Sequence, residues 1–78
     1  MKIKNVRIIE LYKLEIMFNN GEKSILDFEK EYINDRPDHK LIKELKNEKK
    51  FREIYFTEVS IGWKNDFEIH LDSILNLV

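Results

Sequence analysis

Tyr12-Lys13-Leu14-Glu15-Ile16-Met17-Phe18-Asn19-Asn20-Gly21-Glu22-Lys23-Ser24-Ile25-Leu26-Asp27-Phe28 is the stretch that decides the fold. Tyr12, Leu14, Ile16 and Phe18 alternate with Lys13, Glu15 and Met17, the period of two that gives a strand one apolar face. Asn19-Asn20-Gly21 then turns the chain into Glu22–Phe28. A two-residue loop of Asn20-Gly21 would set Phe18 opposite Lys23 and Leu14 opposite Asp27, wasting the apolar face. A three-residue loop sets Leu14 opposite Leu26, Tyr12 opposite Phe28 and Ser24 opposite Ile16. A one-residue slip inverts every side chain, so the pattern selects the three-residue loop, with Gly21 as its left-handed bulge residue. In that register Met17 and Ile25 fall close together on the face away from the core.

Working outward, residues 3–9 read as a strand in which Val6 and Ile8 alternate with charged neighbours. After the hairpin, Asn34-Asp35-Arg36-Pro37-Asp38 is a turn cluster. A helix is predicted from about Asp38 to Lys46, with Asp38 as N-cap and Leu41, Ile42 and Leu45 as its buried stripe. Lys40, Lys43 and Lys46 lie outside the stripe. A second hairpin with a three-residue loop, Lys64-Asn65-Asp66, pairs Trp63 with Phe67, Ile61 with Ile69 and Val59 with Leu71. Ile54 and Phe56 run in the opposite phase, so a turn or bulge is expected near Thr57-Glu58. Asp72 to Val78 reads as a short helix capped by Asp72 that docks Ile74, Leu75 and Val78. The order β-β-β-α-β-β-α, with strands and helices segregated, specifies an α+β two-layer sandwich with a mostly antiparallel sheet, as one domain over residues 1–78.

A chain of 78 residues has room for one small core and is marginal in the surface it can bury. It has no Cys, so disulfides and thiolate metal sites are excluded. Charges interrupt the N-terminus, Met1-Lys2-Ile3-Lys4-Asn5-Val6-Arg7, and no apolar run approaches the roughly 18 residues of a membrane span. A cytoplasmic protein without membrane contact is expected. Fourteen Lys and Arg against fifteen Asp and Glu give no overall field, but the charge is uneven. Residues 40–52 carry six basic against two acidic side chains, and residues 53–78 one basic against five acidic.

Taken together, Leu14-x-Ile16-x-Phe18-x-Asn20-Gly21-Glu22 with Asp27-Phe28, Leu45-Lys46-Asn47 leading to Phe51, and Ile61-Gly62-Trp63-x-Asn65 with Ile69 and Ile74-Leu75 resemble a small bacterial family known as domain of unknown function twenty-four forty-two. The chain departs from that pattern at Trp63-Lys64-Asn65-Asp66, where the family carries Trp-Pro-Asn-Gly, and at Leu75-Asn76, where it carries Leu-Tyr. The resemblance implies a compact α+β domain without established catalysis. Similar domains stand alone, are fused to helix-turn-helix domains, or are encoded beside a second small protein in a pair resembling toxin–antitoxin modules. This chain has no length to spare for a helix-turn-helix domain.

Chemistry-bearing residues are sparse. Glu68, His70 and Asp72 would share one face of a strand, but one His and two carboxylates fall short of the about four ligands zinc takes. His39 adjoins Asp35 and Asp38 with nothing to suggest a pocket. Ser24, Ser60 and Ser73 lack a nucleophile motif, and Gly21 and Gly62 are too far apart for a phosphate loop. No catalysis, metal or cofactor is expected. The candidate surfaces are the Met17/Ile25 face and the basic segment Lys40–Arg52, with Lys40, Lys43, Lys46 and Lys50. The first suits a protein-interaction module, a homodimer or half of a toxin–antitoxin-like pair. The second suits a nucleic-acid-associated regulator contacting phosphates, although no aromatic interleaves the lysines before Phe51.

Overall fold

A computed structural model describes residues 1–77. The alternation around Leu14 builds one antiparallel sheet from β1 (Ile3–Glu10), β2 (Lys13–Phe18) and β3 (Lys23–Asp27), in the order β1-β2-β3. Leu14 pairs with Leu26 and Ile16 with Ser24, the register that the apolar face selects. The Phe28 N–H donates to the Tyr12 carbonyl at 2.8 Å, completing the row below. Gly21 adopts φ +88° in the β2–β3 loop.

A second antiparallel sheet holds β4 (Ile54–Phe56), β5 (Ser60–Trp63) and β6 (Glu68–His70). Ile61 pairs with Ile69, and the Trp63 N–H donates to the Phe67 carbonyl at 2.9 Å, as the second three-residue loop requires. Asp66 takes the left-handed position there, with φ +75°. The Ile54–Phe56 segment becomes a third strand, because Thr57 and Ser60 close a turn through their hydroxyls at 2.8 Å and fold it back onto β5. Tyr55 lays its ring over Gly62 on the outer face and stays 48 % exposed. Phe56 also remains exposed, at the strand end, and so does Val59, within the turn.

The α+β two-layer arrangement is as expected, but six strands in two sheets replace the five expected, and the helices differ in detail. A π-helical turn, Glu29–Ile33, follows β3 and buries Tyr32 and Ile33. The helix expected over Asp38–Lys46 is shorter, α1 (Lys40–Glu44), and an unexpected second short helix, α2 (Glu48–Phe51), follows it. His39, not Asp38, caps α1: its Nδ1 accepts from the Ile42 N–H, and its ring stands edge-on to Phe67. Asn47 caps α2 by accepting from the Lys50 N–H at 3.1 Å. The last helix, α3 (Leu71–Leu77), starts directly at the end of β6, which places Asp72 within its first turn rather than at the cap. Ile74 is buried and Leu75 is exposed; Val78, expected to dock, lies outside the described residues.

Phe28 is where the layers meet. Its ring lies 5.1 Å from Tyr32, 5.4 Å from Phe51 and 5.0 Å from Trp63, separations at which aromatic pairs add to their area burial. Leu14, Ile16 and Leu26 from the first sheet join Ile61 and Ile69 from the second in one buried cluster. The two sheets also touch at an edge, where the Ile3 N–H donates to the Glu58 carbonyl at 2.8 Å.

Candidate interaction surfaces

The outer face of the first sheet carries Met17 and Ile25. Met17 lies opposite Lys23 and Ile25 opposite Glu15, so the two apolar side chains are diagonal neighbours on adjacent strands. Ile25 is 50 % exposed and Met17 is half-buried. Beside them the Arg7 Nε–H donates to Glu15 Oε1 at 2.8 Å, and Nη2 donates to Oε2 at 3.4 Å. This hydrogen-bonded pair lowers the Glu15 pKa and raises that of Arg7. A hydrogen bond from Lys13 to Glu10 likewise raises the lysine's pKa. The face therefore sets two apolar side chains beside the paired Arg7 and Glu15, with Lys23 across from Met17.

The basic segment is divided rather than continuous. Lys40 and Lys43 belong to α1, Lys46 to the break, and Lys49 and Lys50 to α2, all exposed. Among the described residues none of these five ammonium groups lies within ion-pair distance of a carboxylate, whereas Arg52 is held by Glu48 at 3.0 Å and Lys64 lies 3.8 Å from Glu53. The backbone beneath them is pinned from the sheets. The Tyr12 hydroxyl donates to the Lys46 carbonyl, the buried Trp63 Nε1–H donates to the Phe51 carbonyl at 2.9 Å, and Asn65 Nδ2 donates to the Leu41 carbonyl at 3.1 Å and to Glu44 at 3.0 Å. Helix termini leave carbonyls without internal partners, and these three side chains supply them. Tyr12 reaches Lys46 from a left-handed backbone position (φ +67°), a geometry costing about 1–2 kcal/mol for most residues. Desolvation raises the pKa of its hydroxyl.

Sequence reasoning singled out Asn65 only as part of a motif and gave Tyr12 no task beyond the apolar face. Both roles depend on partners far along the chain, unlike the caps at His39 and Asn47, which reach only three residues ahead.

The remaining polar groups do not converge. His70 Nε2 lies 3.2 Å from Glu68, while Asp72 has turned into α3, and no group of three or more potential metal ligands lies together among the described residues. An open cleft of about 340 Å³ separates the π-helical turn from α3, lined by Lys30, Tyr32, Arg36, Ser73 and Asn76. Burial raises the Tyr32 pKa. No described helix is long and apolar enough to cross a membrane.

No family model, curated protein or solved structure matches the chain.

Proposed function

We propose that the chain is a non-catalytic protein-interaction module of the cytoplasm that works without metal or cofactor. It either associates with itself or forms one half of a two-protein system of toxin–antitoxin type. One observation carries this reading: Ile25, a β-branched apolar side chain half exposed on a sheet's outer face, with Met17 beside it and no strand on its far side among the described residues. The resemblance of the Leu14–Phe28 and Ile61–Asn65 stretches to domain of unknown function twenty-four forty-two supports the two-protein form. The test is light scattering coupled to size-exclusion chromatography, together with a pulldown from the native host. The wild-type chain is expected to run as an assembly or retain a defined protein, and Ile25→Lys to lose that association. A monomer that retains nothing overturns the reading.

The five unpaired lysines favour a second reading, a regulator that contacts nucleic-acid phosphates through Lys40–Arg52. It requires binding to an oligonucleotide at low salt that weakens steeply as salt rises. Changing Lys43, Lys46 and Lys50 together to Glu would abolish that binding; no binding at low salt disposes of this reading.

A further inference from the structure

In an antiparallel pair, residues alternate between those that bond across to the partner strand and those that turn their backbone groups away. The Phe18 N–H donates to the Glu22 carbonyl at 2.9 Å, and the Phe28 N–H donates to the Tyr12 carbonyl at 2.8 Å. Counting in twos between these bonds, Ser24 and Leu26 face β2, while Lys23, Ile25 and the N–H of Asp27 face outward. β3 is the last strand of its sheet, so no strand of the described residues meets those groups.

The outer face of this edge reads Lys23, Ile25, Asp27, which is basic, apolar, acidic. Reversing the direction of such a strand exchanges its charges. Two copies placed antiparallel about a two-fold axis at Ile25 therefore set Ile25 against Ile25, and Lys23 against Asp27 twice over. Ile25 is an outward-facing residue, so this register also makes the central pair a hydrogen-bonded one. Ser24 and Leu26 then face each other on the core side. Within its own chain, Lys23 has no ion-pair partner among the described residues, and Lys13, across from Asp27, is taken by Glu10 at 2.8 Å. Asp27 Oδ1 accepts from the Lys30 N–H at 3.1 Å, leaving Oδ2 free.

The other edges lack these properties. β1 is interrupted by two register shifts, a device that blunts strand edges, and an antiparallel copy centred on Arg7 would oppose like charges. β4 and β6 have three residues each, and β6 also runs straight into α3 and already holds Glu68 against His70. We propose that β3 pairs with β3 of a second copy of this chain, joining two three-stranded sheets into one six-stranded sheet with Ile25 at its two-fold axis. This rests on the interaction-module reading and names the partner.

Sedimentation equilibrium of the full chain tests it, with Ile25→Lys, Lys23→Asp and the exchange Lys23→Asp/Asp27→Lys. The wild type is expected to dimerise. Ile25→Lys should abolish the dimer, and Lys23→Asp should weaken it about tenfold or more by turning two opposite-charge pairs into like-charge pairs. The double exchange should restore it, which a loss of folding could not mimic; circular dichroism on each variant confirms the monomer fold. A wild-type monomer overturns the proposal, as does a dimer indifferent to Ile25→Lys and Lys23→Asp, or a double exchange that fails to dimerise while folded. A wild-type monomer that still retains another protein in the pulldown overturns the β3 pairing alone and leaves the interaction module standing; one that retains nothing overturns both.

Discussion

The β2–β3 and β5–β6 hairpins are built on one plan. Each closes a three-residue loop with a strand-end bond of 2.9 Å, Phe18 to Glu22 in one and Trp63 to Phe67 in the other. Each has a left-handed third residue, Gly21 or Asp66, and an Asn at the middle position. Even the local side-chain bond is shared: Asn20 Oδ1 accepts from the Glu22 N–H at 3.0 Å, and Asn65 Oδ1 accepts from the Phe67 N–H at 3.1 Å. They differ in what they reach. Asn20 reaches no further, whereas Asn65 and Trp63 extend to the helices, and the strand after Asn65 is short and ends in α3. The first hairpin is thus left with a five-residue strand whose outer edge is free. Identical turns give a structural tether in one sheet and an available edge in the other.

That contrast can be tested most severely at Trp63. Trp63→Ala empties the centre of the aromatic cluster and removes the donor to the Phe51 carbonyl, so a loss of about 3–5 kcal/mol is expected by urea unfolding. A small domain has little more than that in total, so the variant should be largely unfolded at 37 °C. Ile25→Lys, on the free edge, should leave the unfolding midpoint of the monomer nearly unchanged.

The two asparagines give the sharpest comparison. Asn65→Ala removes the shared turn bond and both tethers to α1, for an expected cost of about 1–3 kcal/mol. Asn20→Ala removes only the turn bond and should cost about 0.5–1 kcal/mol. Equal losses in denaturant titrations would break the distinction between tethered and free hairpins.

Smaller effects are expected at the left-handed positions, and of opposite sign. Gly21→Ala forces a side chain into φ +88° and should cost about 1 kcal/mol, while Asp66→Gly relieves φ +75° and should gain about 0.5 kcal/mol. Thermal melts of the pair would resolve the sign.

The smallest effect is electrostatic. Arg7 holds the Glu15 pKa below its unfolded value, so the stabilisation from that pair is complete above the unfolded pKa and disappears as pH falls through the folded one. The pair lies on an exposed face and is weakened by salt. An NMR titration of the Glu15 side chain should give a midpoint below the ordinary glutamate range, returning to it in Arg7→Gln.

Both hairpins were legible because the alternation of Leu14, Ile16 and Phe18, and of Ile61 and Trp63, is local and admits only one loop length without exposing the apolar face. The candidate Met17/Ile25 pair followed from the same register. Its meaning did not, since that depends on β3 being the last strand, which no local pattern states. The basic segment was legible as charge but not as two helices. Its periodicity supports one helix through Lys46, and Asn47 offers only a weak local signal for a restart. Residues far away along the chain, Tyr12, Trp63 and Asn65, compensate the carbonyls near that break. The third strand of the second sheet was hidden likewise, because Ile54–Phe56 is short and needs the Thr57–Ser60 turn to bring it home.

By itself, the sequence determined the strand register, the turn chemistry and the apolar faces, because side-chain alternation and left-handed loop residues act over a few neighbours. Only the tertiary structure decided where the helices break, which aromatic rings stay outside and which edge is left open, because those outcomes depend on groups brought together from opposite ends of the chain.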